Sequence, residues 1–141
     1  MTEILALIPA RMGSSRFPGK PLAKLLGKPM IEHVYRRVAI NTKLSMTAVA
    51  TCDREIADFI ESIGGRVVMT SDKHERASDR CAEALNILEN EEGKHFEIVV
   101  MVQGDEPMTR PEMVTEALQP MIDDPNVLVV NLLDKIKSIE E

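Results

Sequence analysis

The sequence has 141 residues, of which 44% are hydrophobic, so the chain is long enough to bury a core of its own. Acidic residues outnumber basic ones by 23 to 17, and the formal charge of -6 argues against a general binder of nucleic acid or anionic membranes, because both partners need a basic face. Two cysteines are too few for a disulfide framework or a four-ligand zinc site, no apolar run approaches the ~18 residues of a membrane span, and the start lacks the basic region of a signal peptide. We therefore expect a cytoplasmic chain that forms one domain over residues 1–141, in which any anion site is local.

Short apolar runs alternate along the chain with longer stretches of helical periodicity. Each run is nearly continuous in apolar residues, as expected of strands buried on both faces. Strands are predicted at residues 4–8, 46–50, 67–69, 98–102 and 127–130. This alternation is typical of a parallel sheet covered by helices, so the predicted fold class is α/β, with a mostly parallel sheet and helices on both faces.

Four helices are predicted between these strands, from apolar residues that recur on one helical face. The four apolar sets are Met30, Ile31, Val34 and Val38; Ile56, Ala57, Ile60 and Ile63; Cys81, Ala84, Leu85 and Leu88; and Val114, Ala117, Leu118 and Met121. Asp53 is predicted to cap the second helix, and Gly64 and Gly65 to end it. Thr109 and Glu112 have the spacing of a capping box for the fourth helix.

The loop after the first predicted strand, residues 9–21, has the composition of a phosphate-binding loop. Ligands bind beyond the carboxyl ends of the strands in open α/β sheets, and this loop lies at such an end. It combines Gly and Ser residues, whose backbone N–H groups can surround phosphate oxygens, with the cations Arg11, Arg16 and Lys20. It is not a Walker loop, because five residues rather than four separate Gly13 from Gly19, and it contains no GxGxxG sequence. The alternative is an exposed Gly- and Pro-rich connection with incidental basic residues.

The loop after the fourth predicted strand, residues 103–107, carries the acidic pair Asp105 and Glu106. Carboxylates at the end of a buried strand lose hydration unless a partner compensates, and Mg²⁺ bridged to phosphates is such a partner. Asp105 is the better candidate metal ligand because it comes first after Gly104. The alternative is a turn with two solvated acids. Two loops of complementary charge at one sheet edge favour a phosphate and metal site.

Three blocks of the sequence together resemble one enzyme family. They are residues 8–11 with 15–22 (IPAR and SRFPGKPL), residues 27–31 (GKPMI) and residues 102–107 (VQGDEP). In this order and spacing they are similar to the 3-deoxy-manno-octulosonate cytidylyltransferases, the CMP-Kdo synthetases. The similarity runs over almost the whole chain and corresponds to the N-terminal, nucleotide-binding half of that family.

The resemblance implies a Rossmann-like nucleotidyltransferase fold and a transferase reaction. In that reaction the anomeric hydroxyl of an eight-carbon sugar acid attacks the α-phosphorus of CTP and releases pyrophosphate, for the synthesis of lipopolysaccharide or another cell-surface polysaccharide. Mg²⁺ is the implied cofactor. The implied partners are CTP and the sugar acid, neither nucleic acid nor membrane, and a homodimer is implied for a full-length parent.

The resemblance also implies roles for individual residues. The triphosphate would be held by Arg11, Ser14, Ser15 and Lys20, within a nucleotide loop that includes Pro9, Ala10 and Gly13. Asp105 would bind Mg²⁺, and Gln103 would lie near the nucleotide and the sugar. Lys20, Arg11 and Asp105 are the implied catalytic residues, acting by positioning and by offsetting negative charge that develops on the phosphoryl oxygens and leaving group.

Residues 74–80 depart in part from the family pattern, which is His-x-Ser-Gly-Thr followed by Asp or Glu and then Arg. Ser78, Asp79 and Arg80 keep this pattern and would contact the nucleotide near its base and ribose, or alternatively only begin a helix. Arg76 and Ala77 replace the Ser-Gly pair of the family and add bulk and charge. A cytidylyltransferase for a different acidic acceptor is therefore an alternative.

Members of this family are nearly twice as long as the present sequence. The part without a counterpart here supplies a second metal-binding Asp, much of the sugar pocket and the dimer-forming segment. We therefore expect a truncated nucleotide-binding domain that lacks the C-terminal sugar-binding and dimerisation part. A nucleotide-binding module without turnover is the corresponding alternative function.

Several other polar residues have structural explanations. Asp53 and Arg54 follow the second predicted strand and could reach the site, but helix capping is favoured. Cys52 has no signalled His partner of the kind a nucleophile needs, so a small buried or half-buried residue is expected. His33 and His95 lack the spacing of metal ligands and are expected on the surface or on a helix face.

Overall fold

The sheet is built around its first strand in the computed structural model, which describes residues 3–13, 20–74, 76–103 and 111–123. The strands are β1 (Ile4–Pro9), β2 (Lys24–Leu25), β3 (Lys28–Pro29), β4 (Met46–Thr51), β5 (Arg66–Met69) and β6 (Ile98–Met101). Four of them form one sheet in the order β5-β4-β1-β6, and each pairing is parallel. The four strands predicted within the described residues are thereby confirmed, and the strand predicted at residues 127–130 lies outside them.

Helices cover both faces of this sheet. They are α1 (Met30–Ala39), α2 (Arg54–Ser62), α3 (Ala77–Glu92) and α4 (Pro111–Asp123). All four correspond to the predicted helices. Within the described ranges, none is both long and apolar enough to cross a membrane.

Alternate residues of β1 supply the two halves of the core. Ile4, Ala6 and Ile8 pack with buried residues of α1, α2 and α4. Leu5 and Leu7 point the other way and pack with the buried face of α3. All five side chains are almost completely buried, because β1 has a neighbouring strand on each side and a helical layer on each face.

The connections explain which helix lies on which face. The chain moves from β1 to β4 to β5 in one direction across the sheet, and then returns past β1 to β6. Parallel crossovers are right-handed, so a reversal of direction places the crossing helix on the opposite face. α1 and α2 accordingly lie on one face and α3 on the other, which confirms the predicted α/β arrangement.

The helix α2 begins and ends where predicted, but the capping bond predicted at its start is absent. Gly64 has a positive φ of 81°, and the N–H groups of Gly64 and Gly65 donate to the carbonyls of Glu61 and Ile60 at 3.1 and 2.9 Å. These two bonds form a Schellman motif. Asp53 occupies the N-cap position, but its side chain makes no capping hydrogen bond. The predicted side-chain cap was therefore wrong, and the reason lies in a competing contact described below.

The short hairpin of β2 and β3 was not predicted. Its two-residue turn is formed by Leu26 and Gly27, which have φ values of 56° and 85°. Two positive φ angles are typical of a type I′ turn, for which Asn-Gly is the recognisable sequence, whereas leucine disfavours that conformation. Leu26 is also 90% exposed, so no core pattern indicated it. The capping box predicted for α4 depends on Thr109, which lies outside the described residues.

Candidate functional site

Four loops open at one edge of the sheet, because the carboxyl ends of parallel strands coincide. β1 leads into residues 10–13, β4 into residues 52–53, β5 into residues 70–74 and β6 into residues 102–103. β4 and β6 lie on opposite sides of β1, so the strand order reverses between β1 and β6. Open α/β sheets bind ligands at such a reversal. The start of the predicted phosphate loop and Gln103, which is exposed, flank this point.

The chain leaves the sheet immediately after Pro9. The N–H of Ala10 donates to the carbonyl of Ala50 in β4 at 3.0 Å, and the N–H of Val102 donates to the carbonyl of Leu7 at 3.0 Å. The backbone groups of alternate residues in a parallel strand point to opposite neighbours, so the backbone of Pro9 points to β6. The pairing of β1 with β6 already ends at Leu7. The missing N–H of Pro9 therefore interrupts no ladder bond. Pro9 and Ala10 end the strand cleanly and start the loop from a fixed, buried position, while their predicted role in nucleotide binding stays a prediction.

The residues after Ala10 turn across the end of β4. The N–H of Met12 donates to Asp53 Oδ2 at 2.7 Å, between residues 41 positions apart in the chain. This short bond is the contact that competes with helix capping, which typically contributes ~1 kcal/mol at an N-cap. Sequence reasoning placed Asp53 within reach of the site but favoured the cap. The available indication was its position two residues after a strand of the same sheet.

Arg11 and Gly13 lie at the surface of this edge. Arg11 Nη2 is 3.5 Å from the carbonyl of Gly13, at the limit of a hydrogen bond, so the guanidinium keeps other donors for a ligand. A Cβ added at Gly13 would lie 3.5 Å from Arg11 Nη2, which is an ordinary contact. The described part of the fold therefore does not itself require glycine at this position.

Arg80 holds the loop after β5 from inside the protein. Its side chain is almost fully buried, with the residue 2% exposed, and Nη1 donates to Thr70 Oγ1 at 2.7 Å and to the carbonyl of Ser71 at 3.2 Å. Ser78 and Asp79 are exposed in the first turn of α3, as the helix-start alternative predicted. Contacts of these three residues with a nucleotide stay predictions.

Glu83 fixes the same loop from one turn further along α3. Its Oε1 accepts hydrogen bonds from the N–H of Ser71 at 2.9 Å and from His74 Nε2 at 2.6 Å. The Ser71 N–H, followed by His74, holds the pKa of the Glu83 carboxyl below its ordinary value. Sequence reasoning did not single out Thr70, Ser71 or Glu83, because none of them belongs to a recognisable block.

Several predicted site residues lie outside the described part of the chain. They are Ser14, Ser15, Arg16, Asp105 and the side chain of Lys20, whose backbone begins the 3₁₀ turn Lys20–Leu22. Among the described residues, no group of three or more His, Cys, Asp or Glu side chains could hold a metal ion. The two cysteines are both free, with Cys52 half-buried and Cys81 buried, as expected.

Curated proteins named 3-deoxy-manno-octulosonate cytidylyltransferase are similar to this chain. The protein of Trichlorobacter lovleyi is 45% identical over 139 residues, which cover 99% of this chain and 53% of that protein. The protein of Escherichia coli is 41% identical over 140 residues, covering 99% and 54%. The chain thus spans about half the length of the curated relatives it matches.

Two solved structures are similar to this chain in fold. A structure of CMP:2-keto-3-deoxy-manno-octonic acid synthetase complexed with CTP matches 89% of this chain and 50% of its own, with 41% identity and a TM-score of 0.83. A 4-diphosphocytidyl-2C-methyl-D-erythritol synthase shares the fold at 12% identity, with a TM-score of 0.68 over 87% of this chain and 56% of its own. The predicted Rossmann-like nucleotidyltransferase fold is therefore confirmed. The family model described as cytidylyltransferase matches residues 5–141, and the chain belongs to the cytidylyltransferase family.

Proposed function

We propose that this chain carries the CTP-binding part of an enzyme that transfers CMP from CTP to 3-deoxy-manno-octulosonate or a close relative. The observation that carries the proposal is the position of residues 10–13 and Gln103 at the strand-order reversal. The sheet around that point matches a synthetase complexed with CTP at a TM-score of 0.83. The names of the curated relatives support CTP and the eight-carbon sugar acid as substrates.

The proposed reaction is a displacement at the α-phosphorus of CTP. The anomeric oxygen of the sugar acid forms a bond to phosphorus, the bond from phosphorus to the α,β-bridging oxygen breaks, pyrophosphate leaves and the hydroxyl proton is released. Arg11 is exposed in the loop after β1 and keeps N–H donors that other groups do not use, so it supplies positive charge to the triphosphate. Its contribution is electrostatic, because negative charge grows on the phosphoryl oxygens and leaving group.

Mg²⁺ is the proposed cofactor, and Asp105 is its proposed ligand. Asp105 follows Gln103 by two positions after β6, and carboxylate oxygens are donors that Mg²⁺ prefers. The ion, when bound with the triphosphate, would neutralise phosphate charge. Support for it comes from the sequence, since Asp105 lies outside the described residues.

Pyrophosphate release from CTP, Mg²⁺ and 3-deoxy-manno-octulosonate tests the proposal. Arg11→Ala should lower kcat/KM by ~10²-fold or more, the usual effect of removing one electrostatic donor. Lys43→Ala is the matched control, because it removes an exposed cation before β4, at the opposite end of that strand from the site. Failure of the folded whole enzyme that carries this chain to release pyrophosphate, or an Arg11→Ala variant of it with the wild-type rate, would contradict the proposal.

A CTP-binding chain without turnover is the second candidate. The matched residues cover about half of each curated relative, and CTP binding by these residues is tested separately from turnover. Calorimetry that detects CTP binding to a chain releasing no pyrophosphate would support it. A folded chain that binds no CTP at millimolar concentration would remove both candidates.

A substitution at Arg76 tests which class of acceptor the enzyme uses. This residue precedes α3 beside the loop from β5, its side chain is 80% exposed, and its Nε lies 3.6 Å from Asp79 Oδ2. An exposed guanidinium here favours an acidic acceptor. If Arg76 contacts the acceptor, Arg76→Ser should lower kcat/KM for acidic sugars more than for neutral ones. An equal effect on both classes would exclude that contact.

Two parts of the proposal concern the wider context of the enzyme. We place its product in the synthesis of lipopolysaccharide or another cell-surface polysaccharide, which depletion of the gene and analysis of the surface glycans would test. A homodimer is proposed for a longer parent protein, and light scattering would measure its mass.

A further inference from the structure

Asp53 makes a contact that its local sequence does not favour. At the N-cap of α2, an aspartate normally accepts a hydrogen bond from an N–H in the first turn of its own helix. Here the side chain makes no capping bond, and Oδ2 accepts from the N–H of Met12 at 2.7 Å instead. A carboxylate bond to a backbone N–H is charge-assisted, and this length is typical of the strong class. The carboxylate at the start of α2 therefore stabilises the loop after β1 and not the first turn of the helix.

The backbone that carries Asp53 is itself held in place. The N–H of Asp53 donates to Thr51 Oγ1 at 3.1 Å, and Thr51 is completely buried at the end of β4. The carbonyl of Asp53 accepts from the N–H of Ala57 in α2 at 3.1 Å. The carboxylate thus projects from a turn fixed by both a strand and a helix.

The start of the loop is held at two consecutive points. The N–H of Ala10 continues the ladder to Ala50, and two residues later the N–H of Met12 reaches Asp53. Between them Arg11 is exposed, and after them Gly13 is exposed. Within residues 10–13, the two exposed residues are those proposed to offer donors to phosphate.

We propose that Asp53 is a positioning residue for the phosphate loop: its carboxylate fixes the backbone at Met12, so that Arg11 and Gly13 present their donors toward the triphosphate. This inference rests on the proposed CTP-binding function. Asp53 itself does not touch the nucleotide in this arrangement. Its negative charge strengthens the bond to Met12 but is unfavourable close to a triphosphate, so the acceptor oxygen is the feature that the loop requires.

Two substitutions separate the oxygen from the charge. Asp53→Asn keeps an acceptor oxygen in the same place and removes the charge, whereas Asp53→Ala removes both. Glu55→Ala is the matched control, because Glu55 is an exposed acid in the first turn of the same helix. All three variants are compared with wild type by circular dichroism, to establish that they are folded.

The experiment measures CTP affinity by calorimetry and hydrogen exchange at the Met12 amide by NMR. We expect Asp53→Ala to bind CTP about tenfold more weakly and to exchange the Met12 amide at least about tenfold faster, as for loss of a charge-assisted bond. Asp53→Asn should stay within about threefold of wild type in both, and Glu55→Ala should match wild type.

Three results would overturn or redirect this inference. Wild-type affinity and Met12 exchange in Asp53→Ala would refute it. Equal loss of CTP affinity in Asp53→Ala and Asp53→Asn, with the Met12 amide still protected, would show a direct role of the carboxylate and also refute it. A wild-type chain that binds no CTP would refute the proposed function, and the exchange rates would still decide whether Asp53 anchors the loop.

Discussion

Replacing Arg80 tests whether its buried guanidinium holds the protein or the nucleotide. In Arg80→Ala, Thr70 Oγ1 and the Ser71 carbonyl lose their shared donor, which lies 2.7 and 3.2 Å away. A hydrogen bond from a charged donor contributes ~1.5–3 kcal/mol, and an acceptor left buried costs more, while recovered hydration of the removed charge opposes both. We therefore expect the free energy of unfolding to fall by about 3 kcal/mol.

The assay is urea unfolding followed by circular dichroism, with CTP affinity measured on the folded variant. Arg80→Lys keeps the charge but loses the forked geometry, so an intermediate loss of roughly 1–2 kcal/mol is expected. Arg76→Ala is the control, because its side chain is 80% exposed and its ion pair with Asp79 is long at 3.6 Å, so its effect should stay within ~0.5 kcal/mol. Unchanged stability of Arg80→Ala together with lost CTP binding would refute the structural role and assign the guanidinium to the nucleotide.

Three further predictions concern other parts of the fold. In Gly65→Ala the new Cβ would lie 2.8 Å from Ile60 Cγ2 and 3.0 Å from the Tyr35 ring, so urea unfolding should show a loss of ~1–3 kcal/mol; a neutral result would mean that the ring moves aside freely. Burial raises the pKa of the Cys81 thiol to about 11, against the smaller opposing effect of Arg80, so at pH 8 only about one Cys81 thiol in a thousand is ionised. Mass spectrometry should therefore find that maleimide labels the half-buried Cys52 first, and faster labelling of Cys81 would contradict this. The pKa of Glu83 is lowered from its ordinary 4.5, so its bonds to Ser71 and His74 add stability above about pH 4.5 that is lost as pH falls through the lower folded-state value. In Glu83→Gln the free energy of unfolding should therefore fall less steeply at acid pH, and an unchanged pH dependence would exclude the effect.

The sheet could be predicted from the sequence because its evidence is repeated and local. Each strand of the four-stranded sheet is a nearly continuous apolar run, and each helix such as α2 repeats an apolar face, so several residues indicate the same element. The direction of each crossover then follows from chirality. The hairpin at Leu26 could not be predicted in the same way, since its turn conformation opposes the preference of leucine.

The candidate site was predictable where short blocks of sequence define it, and not where distant residues meet. Arg11, Gly13 and Gln103 are placed at the sheet edge by the strands that precede them. The bond from Met12 to Asp53 joins residues 41 positions apart, and local capping statistics predict a different partner for that carboxylate. The buried position of Arg80 was equally hidden, because arginine is rarely buried and its two acceptors precede it by nine and ten positions.

The central position of β1 also has a consequence during protein synthesis. β1 is made first, but its partners come much later, since Leu5 pairs with Met46 and Ile4 pairs with Ile98. At ~5–20 residues per second, the ribosome needs roughly 5–20 seconds to extend the chain from the first strand to the last of these partners. Until β4 and β6 have both been made, at least one edge of β1 stays unpaired and open to other chains. Chaperone dependence during translation, measured by the aggregated fraction after rapid expression, should therefore be set by β1 more than by any other strand of this sheet.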